Sequence, residues 1–335
     1  MASRDVAMGM IFLSQTTIGF GGNLFLLYQY SFVYFTRHTL RPTDLILKHL
    51  TVANSLVILS KGVPQVIAAF GLRYFLSDAG CKLVFYVHRV SRGVCMGSTC
   101  LLSIFQAITI SPMNSAWAQL KLHAPTYILP FNVLCWVLNM LINIILPVNV
   151  TGPWNNKTTT KNKDLGYCSV GVNTIELLIH TTSSACYDVL CLGLMTWCSG
   201  FMVFILYRHR QQVQHIHRTS LCPNSSPESR VTQSILVLVS TFVSLYTLSS
   251  SCLLLLALFP HPSWWLVNTS TLITACFPTV SPFVLMHRDP RITRLGSACC
   301  GRSTQFPKLV RSSNRQVLSN LLLSLKRADS HSLFS

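Results

Sequence analysis

Residues 81–112 read CKLVFYVHRVSRGVCMGSTCLLSIFQAITISP. The stretch opens on Cys81, carries His88, Arg89 and Arg92 through a mostly apolar run, and closes on Ile110-Ser111-Pro112. As one helix, its 32 residues rise about 48 Å at ~1.5 Å per residue. The hydrocarbon core of a bilayer is only ~30 Å thick, so such a helix tilts and reaches both headgroup layers. One element touches the outside, the middle and the inside of a membrane, and the rest of the chain can be placed around it.

Composition agrees. Half of the 335 residues are hydrophobic and 10% are charged, whereas soluble domains run near ~25% charged. The net charge of +17 does not argue for nucleic acid, because the basic residues sit in short loops and a tail between apolar runs. No repeat with a period of ~20–50 residues is present.

Seven stretches are long and apolar enough to cross, near 6–33, 44–70, 83–110, 126–148, 177–207, 231–259 and 265–286. Backbone groups in lipid must be paired internally, so these are helices; a barrel would need shorter, alternating segments. The expected fold is an all-α membrane protein, a seven-transmembrane helix bundle. With the N-terminus outside and the C-terminus inside, the inner segments up to residue 306 hold eleven Lys and Arg and the outer ones six. That asymmetry favours N-out. The expected divisions are an extracellular N-terminus at 1–5, the bundle at 6–286 and a cytoplasmic tail at 287–335. The first span reads as a retained signal-anchor, since it lacks a cleavage site and exceeds the length of a signal peptide's apolar region.

Of thirteen cysteines, only Cys81 and Cys168 fall in the outer segments. Outer space is oxidising, so these two are the available disulfide pair. The loop before the fifth span also carries two acceptor sequons, at Asn149 and Asn156. A third, at Asn268, sits almost at the membrane, and a fourth, at Asn224, lies on the inner side and should stay bare.

Several motifs carry a resemblance. Gly22-Asn23, Trp136 and Pro282 stand where rhodopsin-like G-protein-coupled receptors have their landmarks. The helix 2 aspartate of that class is replaced by Asn54. Its Asp-Arg-Tyr triplet reads Ile104-Phe105-Gln106, and its Asn-Pro-x-x-Tyr reads Ser281-Pro282-Phe283-Val284-Leu285. The stretches LRPTDLILKHLTVAN (40–54), TCLLSIFQAITISP (99–112), YRHRQQVQHIHR (207–218) and FPTVSPFVLMHRDPRI (277–292) resemble vomeronasal type 1 receptors. That resemblance implies a chemosensory pheromone receptor of the plasma membrane. It implies a small-molecule ligand in the bundle, with steroid-like bodies among the candidates, and an inhibitory-type heterotrimeric G protein as partner. It does not explain the tail beyond about residue 312.

Ionisable residues inside spans face the bundle and seek partners. Lys61 lies about nine residues, roughly 14 Å, from the outer end of the second span; Arg92 is similarly deep; Asp188 lies about eleven residues, roughly 17 Å, into the fifth. His88 and Arg89 are shallower, and Glu176 sits at the mouth. Two readings stand for Lys61, Arg92 and Asp188. One is a pocket with surplus positive charge for anionic or strongly polar small ligands. The other is an internal salt bridge holding helices together. His180 and Tyr86 line the mouth or simply pack. Asp44 with Lys48, and His49 beside them, read as structural.

On the inner side the candidates for G-protein contact are Phe105, Gln106, Arg208, Arg210 and Arg218. Anchoring to anionic membrane lipids accounts for the same arginines. Cys299 and Cys300 follow a basic, amphipathic stretch and are lipidation candidates. Histidines 209, 215 and 217 lack a completing cysteine or carboxylate, so no metal is expected, and no cofactor either. A retinal protein would want a lysine in the seventh span, where residues 266–286 have none. An enzyme is disfavoured by the absence of a nucleophile motif or paired carboxylates. The rival reading is a transporter or channel, against which no two halves repeat.

Overall fold

In the computed structural model, the described residues are 3–37, 41–72, 75–111, 117–145, 147, 150–151, 163–164, 168–170, 174–216, 227–258 and 264–288. Seven spans are present: Ser3–Arg37; Pro42–Val57 continued through Ile58–Gly62 and Val63–Ala69; Asp78–Ile110; Trp117–Ile142; Thr174–Ile216; Pro227–Leu258; and Trp264–Arg288. All seven contain a window long and apolar enough to cross a membrane.

The third span is the hub, packed against the second, fourth and fifth and touching the sixth. Its N-terminus is set by Ser77, whose hydroxyl accepts the Gly80 N–H at 3.2 Å, with Asp78 in the first turn complementing the helix dipole. It ends at Ser111, which turns extended (φ −54°, ψ 139°) ahead of Pro112, as residues before proline do.

Two prolines shape the other spans. Pro64 brings no N–H for the Ser60 carbonyl, and the preceding turn, Ile58–Gly62, widens to a π-turn. In the seventh span Pro282 likewise frees the carbonyl four residues back, on Pro278. Asn23 of the first span, fully buried, donates to that carbonyl at 2.9 Å. Gly22 allows the approach: a Cβ there would lie 3.1 Å from the Pro282 ring. Asn54 donates to Ser281 at 2.9 Å and accepts from the Cys95 thiol at 3.1 Å, joining the second, seventh and third spans. Trp136 donates to His49 at 3.3 Å, which gives that histidine its partner. Asp44 accepts the Arg41 N–H at 3.3 Å and starts its own helix.

The boundaries differ from expectation mainly in the fourth and fifth spans. The fourth starts at Trp117, not near 126, because Lys121, His123 and Pro125 interrupt the apolar pattern without interrupting the helix. It ends at Ile142, before Pro147, where Ile144 N–H tightens onto Leu141 at 3.3 Å. The fifth runs on to Ile216. Three two-residue strands, Val150–Thr151, Lys163–Asp164 and Ser169–Val170, add a small antiparallel sheet to the otherwise helical architecture, with Ser169–Val170 in the centre.

Candidate ligand-binding site

Cys168 immediately precedes the central strand of that sheet, and its sulfur is bonded to Cys81 near the start of the third span (Cα–Cα 5.8 Å). The link pins the loop to the hub helix. Both cysteines are fully buried, with Ala68, Leu76 and Phe85 packed on them.

A cavity of about 450 Å³ lies among the third, fourth, fifth and sixth spans. Arg89 and Arg92, one turn apart, form one wall; Asn139, Asn143, His180, Tyr187, Asp188 and Tyr246 contribute polar atoms to the others. Arg89 is exposed to this space and Arg92 half-buried. Among the described residues, no carboxylate lies within 4.0 Å of either guanidinium. Arg92 instead sits over the Tyr246 ring, 4.8 Å from its centroid, and the Tyr246 hydroxyl donates to the Asp188 carboxylate. The salt-bridge alternative raised for Arg92 and Asp188 is therefore realised only indirectly, with a tyrosine interposed.

The fourth span contributes Asn139 and Asn143 to the cavity, the upper members of a stripe of asparagines that Asn132 begins. Asn132, Asn139 and Asn143 follow at helical spacing, and all three are buried. Asn139 donates to the Cys135 carbonyl (2.8 Å) and the Tyr187 hydroxyl (3.1 Å). Tyr187 donates to the Gly93 carbonyl at 3.2 Å. Asn143 meets His180 at 3.0 Å. Gly93 and Gly97 give these side chains their room, because the third span carries no Cβ where Asn139, Cys135 and Tyr187 press against it. His180 is thus a packed, hydrogen-bonded member of the wall rather than a free group at the mouth. Tyr187, Tyr246 and the asparagines are not among the residues expected from sequence; the spacing of the asparagines was the available signal.

Not all the expected residues gather here. Lys61 lies in the π-turn and lines a separate crevice of about 20 Å³ with Gln15, Thr16, Gln65, Thr271 and Thr279, between the second, first and seventh spans. The extra residue in such a turn re-aims the side chains it carries. His88 is half-buried and does not line the cavity; its Nδ1 is buried with no hydrogen-bond partner among the described residues. Tyr86 donates to the Met140 carbonyl at 3.2 Å. Glu176 belongs to the fifth helix, but its side chain lies outside the described residues.

Toward the C-terminal end of the third span, Ile104 and Ile110 pack with Phe201 and Leu236 on a core of Ala107, Cys198 and Met202. Apolar packing thus joins the third, fifth and sixth spans here. Gln106 is buried and Phe105 half-buried. Arg208 is exposed, its guanidinium 5.9 Å from the Phe204 ring centroid. Arg210 sits on the same helix with an undescribed side chain; Arg218, Asn149, Asn156, Asn224, Cys299 and Cys300 lie outside the described residues.

Comparison with known proteins places this geometry. The profile of the vomeronasal organ pheromone receptor family matches residues 6–298. Human vomeronasal type-1 receptor 3 is 66% identical over 93% of this chain and 100% of its own length. Human vomeronasal type-1 receptor 2 is 56% identical over 88% of this chain and 75% of its own. The fold is that of squid rhodopsin, with a TM-score of 0.68 at 14% identity over 92% of this chain and 82% of that one. The chain therefore belongs to the vomeronasal organ pheromone receptor family and is a multi-pass, G-protein-coupled chemosensory receptor of the plasma membrane.

Proposed function

We propose that the receptor, oriented N-out, takes an anionic or strongly polar small molecule into the cavity beside Arg89 and Arg92 and signals through an inhibitory-type G protein. The observation that carries the reading is two guanidiniums on one cavity wall with no carboxylate within 4.0 Å among the described residues. A cation lining a cavity gains Coulomb energy and charge-assisted hydrogen bonds when an anion arrives. The cavity volume of about 450 Å³ suits a drug-sized body with one sulfate, phosphate or carboxylate. Membership of a pheromone receptor family, and the likeness to vomeronasal type-1 receptors, support the chemosensory side of the reading.

The test uses a sulfated steroid and its uncharged parent alcohol on cells with confirmed surface receptor. Each of Arg89→Ala and Arg92→Ala should weaken the potency of the sulfate by about 10-fold to 100-fold, as expected for a lost charged hydrogen bond worth ~1.5–3 kcal/mol. The parent alcohol should be weaker on the wild type and indifferent to the substitutions. Equal potency of the two compounds on all three receptors ends the anion reading. Sensitivity of the response to pertussis toxin tests the inhibitory-type G protein.

Orientation has its own check. Asn149→Gln and Asn156→Gln should each remove one glycan and increase gel mobility in one step. A glycan at Asn224 would invert the topology.

A further inference from the structure

Lys61 stands apart from the cavity that holds Arg89 and Arg92. The π-turn at Ile58–Gly62 carries it into the crevice of about 20 Å³ between the first, second and seventh spans. The end of its helix, Ala69, is about 12 Å further on. Lys61 is half-buried there, so its ammonium stays among the spans rather than snorkelling to the headgroups. Among the described residues it makes no ion pair and no hydrogen bond. An ammonium at this depth calls for a counter-charge, and the walls of the crevice hold no acid.

We propose that this crevice is a site for a small monovalent anion, chloride in the cell, held by Lys61, Gln65 and Thr16. The donors can be counted. The Thr271 and Thr279 hydroxyls donate to the Val267 and Ala275 carbonyls at 3.0 and 2.9 Å. Gln15 donates to the Leu272 carbonyl at 3.0 Å. Gln65 and Thr16 make no hydrogen bond with a described residue. The Gln65 amide and the Thr16 hydroxyl are therefore left to join the ammonium N–H groups around one acceptor. Gly62 lets the first span come close: a Cβ there would lie 2.5 Å from the Thr16 hydroxyl oxygen. Size selects the anion. One water needs about 10–15 Å³, so a space of about 20 Å³ admits a monatomic ion and excludes a sulfate, a phosphate or the carboxylate of a larger body. The ion pairs with the second span and accepts from the first, so it fastens the two together with charge-assisted bonds. The site does not depend on the anion reading of the larger cavity.

The experiment measures the melting temperature of the solubilised full-length receptor in sodium chloride and in sodium gluconate at equal ionic strength. Gluconate is too large for the crevice. An ion bound only by the folded state raises the melting temperature with its concentration, so chloride should lift it by roughly 2–4 °C over gluconate. Lys61→Met removes the charge from an unbranched side chain and should abolish the difference. Thr16→Val should keep it but need about tenfold more chloride for half the effect, the loss expected of one hydrogen bond to a charged group. That milder variant decides the matter should Lys61→Met fail to fold. Arg89→Ala, which removes a cation from the larger cavity, should leave the difference intact. Equal melting temperatures in the two salts overturn the site, and so does a chloride effect that survives Lys61→Met. An unchanged chloride requirement in Thr16→Val overturns it as well. A chloride effect lost in Arg89→Ala and kept in Lys61→Met places the ion in the larger cavity and overturns the assignment to this crevice.

Discussion

Alanine at Gly93 or Gly97 should cost the receptor about 3 kcal/mol of stability, at the upper end of the range for overpacking. A methyl group at Gly93 would collide with the Asn139 side-chain amide, and one at Gly97 with the Cys135 sulfur and the Tyr187 hydroxyl. These are not the far ends of flexible chains. Asn139 is fixed by bonds to the Cys135 carbonyl and to Tyr187, and Tyr187 by its bond to the Gly93 carbonyl. Relief requires two helices to move apart. A loss of ~3 kcal/mol is on the order of a 100-fold change in the folded-to-unfolded ratio, so surface delivery should fall sharply and the melting temperature of the solubilised receptor should fall by several degrees. Gly193→Ala and Gly200→Ala are the contrast. Nothing lies within 4 Å of a Cβ at either position, so the better helix propensity of alanine makes those changes neutral or slightly stabilising. Adding Asn139→Ala to Gly93→Ala should recover part of the loss. A wild-type melting temperature for Gly93→Ala alone would show that the third and fourth spans are not locked in this way.

Loss of the Cys81–Cys168 bond should be comparably severe. It closes a loop of 87 residues, for which chain entropy alone gives about 4–5 kcal/mol. Cys81→Ala and Cys168→Ala should each abolish surface delivery or agonist response, and the double substitution should be no worse than either single one. A double mutant markedly worse than both singles would mean that the cysteines act separately. Non-reducing peptide mapping of the wild type provides the direct check, and free thiols at both positions would refute the bond.

The fold was legible because the chemistry of lipid forbids alternatives. Seven apolar stretches in a bilayer can only be helices, and on the N-out expectation Cys81 and Cys168 were the two cysteines left to pair. The helix ends were less so. Pro125 inside the fourth span looked like a boundary because proline breaks helices by local rules, yet the helix continues through it. The π-turn at Ile58–Gly62 has no mark in hydropathy at all, and it decides where Lys61 points. Arg89 and Arg92 were legible as a pair, since charge inside an apolar run is conspicuous. Tyr246 was not: a tyrosine among leucines and serines is ordinary, and its role depends on Asp188 and Arg92 arriving from two other helices. Partnerships across helices are set by rotation about each helix axis, which apolar runs of this kind leave unspecified. The asparagine stripe is the exception, because polar groups at one helical spacing announce a face.

The fifth span has a mechanical consequence. It runs unbroken from Thr174 to Ile216, 43 residues without a proline, and the sheet and disulfide tether the chain just ahead of its N-terminal end. Treated as a stiff rod hinged at that tether, it carries Asp188 about 21 Å from the pivot and Ile216 about 63 Å from it. Leverage is then roughly threefold. A displacement of about 1 Å at the carboxylate that Tyr246 holds arrives as about 3 Å at the far tip, beyond the apolar window that ends at Arg208. A gearing of that size lets a ligand's small adjustment inside the bundle become a movement that a protein outside it can register.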